Sequence, residues 1–208
     1  MAAKKGKGKV ASAAMGDPLA GTIEVVMGGF GGQGIILSGL ILGKAASLFS
    51  DKKATFTQSY GPEARGGACS ANVVISEEPI DYPYVTRPHH MMVMSQGAYD
   101  KYIDDLRPGG RLLIDEDLVE LRRSRDDVAV FQIPATRLAE QLGRRIVANI
   151  VMLGFIAAVT EVVSYDAMRS AILDSVPPGT EELNLKAYNT GYDHGTKALD
   201  HYLKQAKG

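Results

Sequence analysis

Three sets of residues in this chain have types and spacings that could do chemistry. The first is Gly29-Phe30-Gly31-Gly32-Gln33-Gly34, which matches G-x-G-x-x-G. Between a strand and a helix, such a turn presents backbone N–H groups to a phosphate, so Gly31, Gly32, Gln33 and Gly34 are candidate contacts. A dinucleotide site needs one thing more, an acidic residue at the end of the second strand to bind the ribose hydroxyls. That end holds Thr57, Gln58 and Ser59, and Asp51 stands at the strand's beginning. A structural bend or a contact to another phosphate ligand is therefore favoured over a dinucleotide loop.

The second set lies in Tyr60-Gly61-Pro62-Glu63-Ala64-Arg65-Gly66-Gly67, too rich in glycine and proline to continue as strand or helix. Loop side chains on a rigid frame are well placed to make contacts, which nominates Tyr60, Glu63, Arg65 and Gly66. The plainer alternative is an exposed turn with a local Glu–Arg pair. The third set is His89-His90, His194, His201 and the single Cys69. Adjacent side chains on a strand point to opposite faces, and neither histidine pair has a carboxylate–histidine pattern of metal-site spacing. One cysteine excludes an internal disulfide, a four-thiolate iron–sulfur site and a cysteine-rich zinc site. With no histidine nearby in sequence, Cys69 reads as a buried, inert thiol. No serine sits in a G-x-S-x-G elbow.

The elements that must position these residues follow from apolar patterning. Thr22–Met27 is a β-branched run that stops at the glycines, as a buried strand does before a tight turn. Ile35–Phe49 is apolar on nearly every side, which predicts a mostly buried helix. Gly39 and Gly43, one turn apart in it, are expected to admit a neighbouring backbone. Further strands are predicted at Ala54–Ser59, Ala68–Ser76, His90–Ser95, Arg111–Asp115 and Val128–Ile133, with an irregular crossing segment over Ile80–Arg87. Helices are predicted at Gln96–Leu106, Ala135–Leu142, Ile146–Val163 and Tyr165–Ser175. A final helix over Glu181–Gln205 is expected to break near Gly191 and Gly195. Strands alternating with helix-length crossovers give an α/β layered domain with a mixed, largely parallel sheet and a Rossmann-like first βα unit.

A chain of 208 residues suits one domain, and 45% hydrophobic with 23% charged residues is an ordinary globular composition. A net charge of −1 argues against a nucleic-acid partner. Residues 1–20, with Lys4, Lys5, Lys7 and Lys9, read as a flexible basic tail without the apolar stretch of a secretory signal, ahead of one domain over 21–205. The near-membrane length of Ile146–Val163 is offset by its glycine and internal polar groups, which favour a core helix. The expectation is a cytoplasmic protein with no membrane contact.

Taken together, Gly28–Gly34, the segment Gln58–Gly67, Arg107-Pro108-Gly109-Gly110 before Leu112–Asp115, Asn149–Gly154 and Asn184–Ala187 resemble the gamma subunit of 2-oxoacid:ferredoxin oxidoreductases. The resemblance runs from about Thr22 to His201. It implies a subunit, inactive alone, of a complex that oxidatively decarboxylates a 2-oxoacid, captures the acyl group on coenzyme A and passes electrons to ferredoxin. It further implies thiamine diphosphate, magnesium and iron–sulfur clusters in alpha, beta and delta partner subunits and none in this chain. On that basis Gly31, Gly32, Gln33, Gly34, Tyr60, Glu63, Arg65 and Gly66 become candidates for a subunit interface or a coenzyme A contact. The loop resembles the 2-oxoglutarate and branched-chain types more than the pyruvate type, and aryl 2-oxoacids stay open. The rival reading is a free-standing dinucleotide-binding oxidoreductase.

Overall fold

The computed structural model describes residues 21–60, 68–123 and 125–205. The basic tail and the candidates Glu63, Arg65 and Gly66 lie outside them. Six strands form one sheet: β1 (Thr22–Phe30), β2 (Lys53–Ser59), β3 (Ala68–Ser76), β4 (His90–Val93), β5 (Arg111–Asp115) and β6 (Ala129–Ile133). Their order is β2-β3-β1-β4-β5-β6. β3 is antiparallel to both β1 and β2, while β1, β4, β5 and β6 pair in parallel. The expected mixed, largely parallel α/β sheet is present, and β3 lies between the two strands that flank the first helix.

The helices are α1 (Ile35–Phe49), α2 (Gln96–Tyr102), α3 (Ala135–Gln141), α4 (Ala148–Thr160), α5 (Tyr165–Ser175) and α6 (Glu181–Gln205). α2 packs on one face of the sheet, over Met91, Val93, Leu112 and Ile114. α1 and α4 cover the other face in the larger core, with α5 and α6 outside them. Alternation explains the split: Met92 and Leu113 point to the larger core, while their neighbours Met91, Val93 and Leu112 point to the smaller one.

Several expectations change. α1 is amphipathic: Ile35, Ile41, Leu42, Ala45 and Ala46 are buried, but Leu37, Leu40, Leu48 and Phe49 are exposed. The sequence could not separate them because the outward residues are apolar too. Gly39 packs against side chains of Ala71 and Phe56 rather than backbone, and Gly43 has open space beside it. The predicted Gln96–Leu106 helix is α2 followed by a 3₁₀ turn at Ile103–Asp105. β4 stops at Val93, because the Ser95 hydroxyl already caps α2 by accepting from the Ala98 N–H. α4 is shorter than Ile146–Val163: a 3₁₀ turn at Arg145–Val147 precedes it, and Glu161 ends it in a left-handed conformation at φ 54°. No helix among the described residues is long and apolar enough to cross a membrane.

The final helix does not break. α6 runs unbroken for 25 residues, and its glycines are where α4 crosses it. A Cβ on Gly191 would stand 1.8 Å from the Val151 carbonyl oxygen, and one on Gly154 of α4 would stand 2.1 Å from that of Tyr188. The absent side chains let the two backbones touch, which outweighs the helix propensity that glycine loses.

Candidate functional site

The glycine turn closes the carboxyl end of β1 and is shaped mainly by one side chain. Gln33 reaches back so that its Oε1 accepts from the Phe30 N–H at 2.6 Å, while its Nε2 donates to the Met94 carbonyl at 2.7 Å. That amide ties the turn to the end of the neighbouring parallel strand β4. Gly32 and Gly34 have φ of 92° and 75°, a region that favours glycine. Behind the turn, Asn149 Nδ2 at the start of α4 donates to Gly34 O at 3.3 Å. A Cβ on Gly34 would meet that amide at 2.5 Å, so the glycine is needed twice over. Among the described residues no hydrogen bond engages the N–H of Gly31, Gly32 or Gly34.

α1 leaves β1 toward one face of the sheet and α2 leaves β4 toward the other. A crevice therefore opens between their starts, the place where open α/β sheets receive ligands. Here it is a cleft of about 330 Å³ lined by Gly32, Gln33, Met94, Thr136, Arg145 and Ile146. Its floor is held by Asp115, whose Oδ2 accepts from the Thr136 hydroxyl at 2.6 Å and from its N–H at 3.1 Å. Burial pushes the Asp115 carboxyl up from the ordinary carboxylate range, against the pull of the Thr136 bond. Arg145 projects at the rim, with Glu140 3.9 Å away. Neither Thr136 nor Arg145 stood out in the sequence. The only available signal for Arg145 was a charged residue directly before a long apolar helix.

Register brings the second motif to the same end. Ser70 of β3 pairs with Gly28 on one side and Ser59 on the other, and Ala68 pairs with Phe30. Tyr60, 64% exposed, thus follows β2 two strand spacings, roughly 10 Å, from the glycine turn. Exposed Phe30, Leu37 and Ile146 belong to this end as well. The structure places Gly31, Gly32, Gln33, Gly34 and Tyr60 at the same end of the sheet.

The third set stays apart. Cys69 is buried, and burial pushes its thiol up, away from the reactive range. Among the described residues no three His, Cys, Asp or Glu side chains group so as to hold a metal ion. The missing ribose acid has a structural counterpart. In a dinucleotide fold the acid ends a parallel strand beside β1; here that neighbour is antiparallel β3, whose beginning, at Ala68, lies at this end.

This is an α/β domain with a glycine turn at a sheet switch point and an antiparallel strand where a dinucleotide fold has its ribose-binding one. Comparison with known proteins extends that description. Residues 24–194 match the family described as pyruvate ferredoxin/flavodoxin oxidoreductase, and the chain belongs to that family. It is 56% identical to the 2-oxoglutarate synthase subunit KorC of Methanocaldococcus jannaschii, over 82% of this chain and 92% of that one. To the pyruvate synthase subunit PorC of Methanothermobacter thermautotrophicus it is 37% identical, over 82% of this chain and 94% of that one. Among solved structures, the gamma subunit of a keto/oxoacid ferredoxin oxidoreductase from Geobacter sulfurreducens superposes with a TM-score of 0.79 at 41% identity, covering 86% of this chain and 98% of that one. The chain is a gamma-type subunit of a 2-oxoacid:ferredoxin oxidoreductase, and the free-standing dinucleotide enzyme is set aside.

Proposed function

We propose that the complex to which this chain belongs acts on 2-oxoglutarate, and that the glycine-turn end of the sheet is where the chain meets its partners. The reaction converts 2-oxoglutarate and coenzyme A to succinyl-CoA and carbon dioxide, with two electrons leaving to ferredoxin. The observation that carries the substrate is the 56% identity to a 2-oxoglutarate synthase subunit, against 37% to a pyruvate synthase subunit over the same share of the chain. Thiamine diphosphate, magnesium and the iron–sulfur clusters are assigned to alpha, beta and delta partners on the strength of the family resemblance, and a single cysteine is too few for a four-thiolate cluster.

One observation supports a docking role. Phe30, Leu37, Tyr60 and Ile146 expose apolar surface at one end, and aromatic and aliphatic anchors of this kind carry interfaces. The cleft beside them supports a second contribution, in which the Gly31–Gly34 turn and Arg145 border part of the coenzyme A site. Glu63, Arg65 and Gly66 are assigned a contact to a partner subunit or to coenzyme A on the strength of the family resemblance alone.

The test is anaerobic purification of the chain from its host, identification of the co-purifying proteins, and viologen-reduction assays with coenzyme A. Reduction that is fastest with 2-oxoglutarate supports the reading. A complex that prefers pyruvate or a branched-chain 2-oxoacid refutes the substrate, and a chain that elutes alone refutes the docking role.

A further inference from the structure

The end of the sheet opposite the glycine turn holds another cavity, one with no part in the reading above. It lies at the amino ends of β4 and β5, has a volume of about 510 Å³, and is lined by His89, His90, Arg107, Arg111, Thr160 and the Pro-Gly-Gly turn that follows Arg107. Local structure explains why these side chains converge. His90 and Arg111 are register partners on parallel strands. The Arg111 N–H donates to the His89 carbonyl at 2.9 Å and the Arg107 N–H to that of Pro88 at 3.2 Å, stitching the turn onto the segment that enters β4. The Arg111 guanidinium donates to the Val159 carbonyl near the end of α4, which holds it at the cavity wall.

The charge here is one-sided. Arg122, Arg123, Arg125, Arg137 and Arg145 each lie within salt-bridge distance of a carboxylate. Among the described residues neither Arg107 nor Arg111 forms an ion pair, although both are half-buried. Leaving guanidinium groups partly desolvated without a counter-charge is costly unless something supplies one. The Arg107 guanidinium meets His89 Nε2, and His89 accepts from the Glu24 N–H through Nδ1 at 3.1 Å.

We infer that this cavity binds an oxyanion group, a phosphate or a carboxylate, held by Arg107 and Arg111. The group comes either from a small anion in solution or from a carboxylate side chain of a partner subunit. Arg107 supplies the movable donor and Arg111 the fixed one.

The probe is inorganic phosphate, titrated into the full chain at constant ionic strength in chloride buffer and followed by calorimetry and thermal unfolding. Wild type should bind and unfold at higher temperature as phosphate rises. Arg107→Gln should weaken binding roughly tenfold or more, the value of one charge-assisted bond. Arg111→Gln should do the same, and because it also loses the Val159 bond, Arg107→Gln is the variant to rely on if Arg111→Gln folds poorly. Arg122→Gln, whose guanidinium is already paired with Glu120 at the exposed surface, should bind phosphate as wild type does. Binding retained by the assembled complex identifies a small anion. Binding lost on assembly, together with faster dissociation of the Arg107→Gln chain, identifies a partner's carboxylate. No binding by the free wild-type chain, or binding that neither arginine substitution weakens, overturns the inference.

Discussion

Replacing Gly191 by alanine puts a methyl group where α4 and α6 already touch. The new Cβ would lie 1.8 Å from the Val151 carbonyl oxygen and 2.7 Å from its carbon, against 3.4–4 Å for ordinary contact. Both atoms are backbone, so no rotamer change relieves the clash, and the helices must part by about 1.5 Å at the crossing. Ala148–Val159 of α4 is buried throughout, so that parting loosens packing along the whole helix. Overpacking costs roughly 1–3 kcal/mol and here falls at or above the top of that range, while alanine returns at most about 1 kcal/mol of helix propensity. A net loss of about 2–3 kcal/mol corresponds to a melting temperature lower by roughly 4–12 °C in a domain of this size. The matched control is Gly43→Ala in α1, where nothing lies within 4 Å of the added carbon, and stability should rise by up to about 1 kcal/mol. Urea unfolding followed by circular dichroism measures both. If Gly191→Ala is as stable as wild type, or if the two variants shift alike, the close-approach argument is wrong.

Three other substitutions test separate parts of the structure. Glu24 is buried on β1, and its carboxylate accepts from the Thr86 N–H and hydroxyl and from the Arg87 N–H, so it pins the segment before β4. Glu24→Ala strands those donors and should cost about 3 kcal/mol in urea unfolding. Burial first, then the charges of Arg111 and His89, hold His90 neutral down to about 3, whereas an ordinary imidazole takes up its proton below 6.5. Between those values the unfolded chain binds more protons, so the His90 contribution to stability is complete above pH 6.5 and is lost as the pH falls toward 3. Its slope is at most about 1.4 kcal/mol per pH unit, and His90→Leu should flatten that part of the stability profile. In the assembled complex, Arg145→Ala should raise KM for coenzyme A roughly three- to tenfold, the range for an exposed charge contact, with kcat little changed. An unchanged KM would remove Arg145 from the coenzyme A site.

How far the sequence carried depended on whether a feature was local. The strand–turn–helix unit around Gly28–Gly34 was legible because β-branched residues, a glycine cluster and a continuous apolar segment follow each other directly. The unbroken α6 was not legible, because Gly191 and Gly195 signal a break unless the partner backbone they admit is known. The same applies to α1, whose outward Leu37, Leu40 and Leu48 differ from its inward leucine and isoleucines in neighbours, not in chemistry. At the site, the glycine motif was visible but the role of Gln33 was not. Its bond to Met94 O spans 61 positions and exists only because β4 is placed beside β1.

The position of β3 links the fold to its family. An antiparallel strand between β1 and β2 removes the neighbour that would carry a ribose-binding acid, so the glycine turn keeps its shape but loses the other half of a dinucleotide site. The same strand makes β2 and β3 a hairpin whose flanking residues, Tyr60 and Ala68, lie at the end of the sheet that bears the turn. One change in topology thus exchanges a cofactor contact for Tyr60 and Ala68 at the same end of the sheet. Tyr60 also opens the segment Tyr60–Gly67, whose sequence resembles the 2-oxoglutarate and branched-chain types.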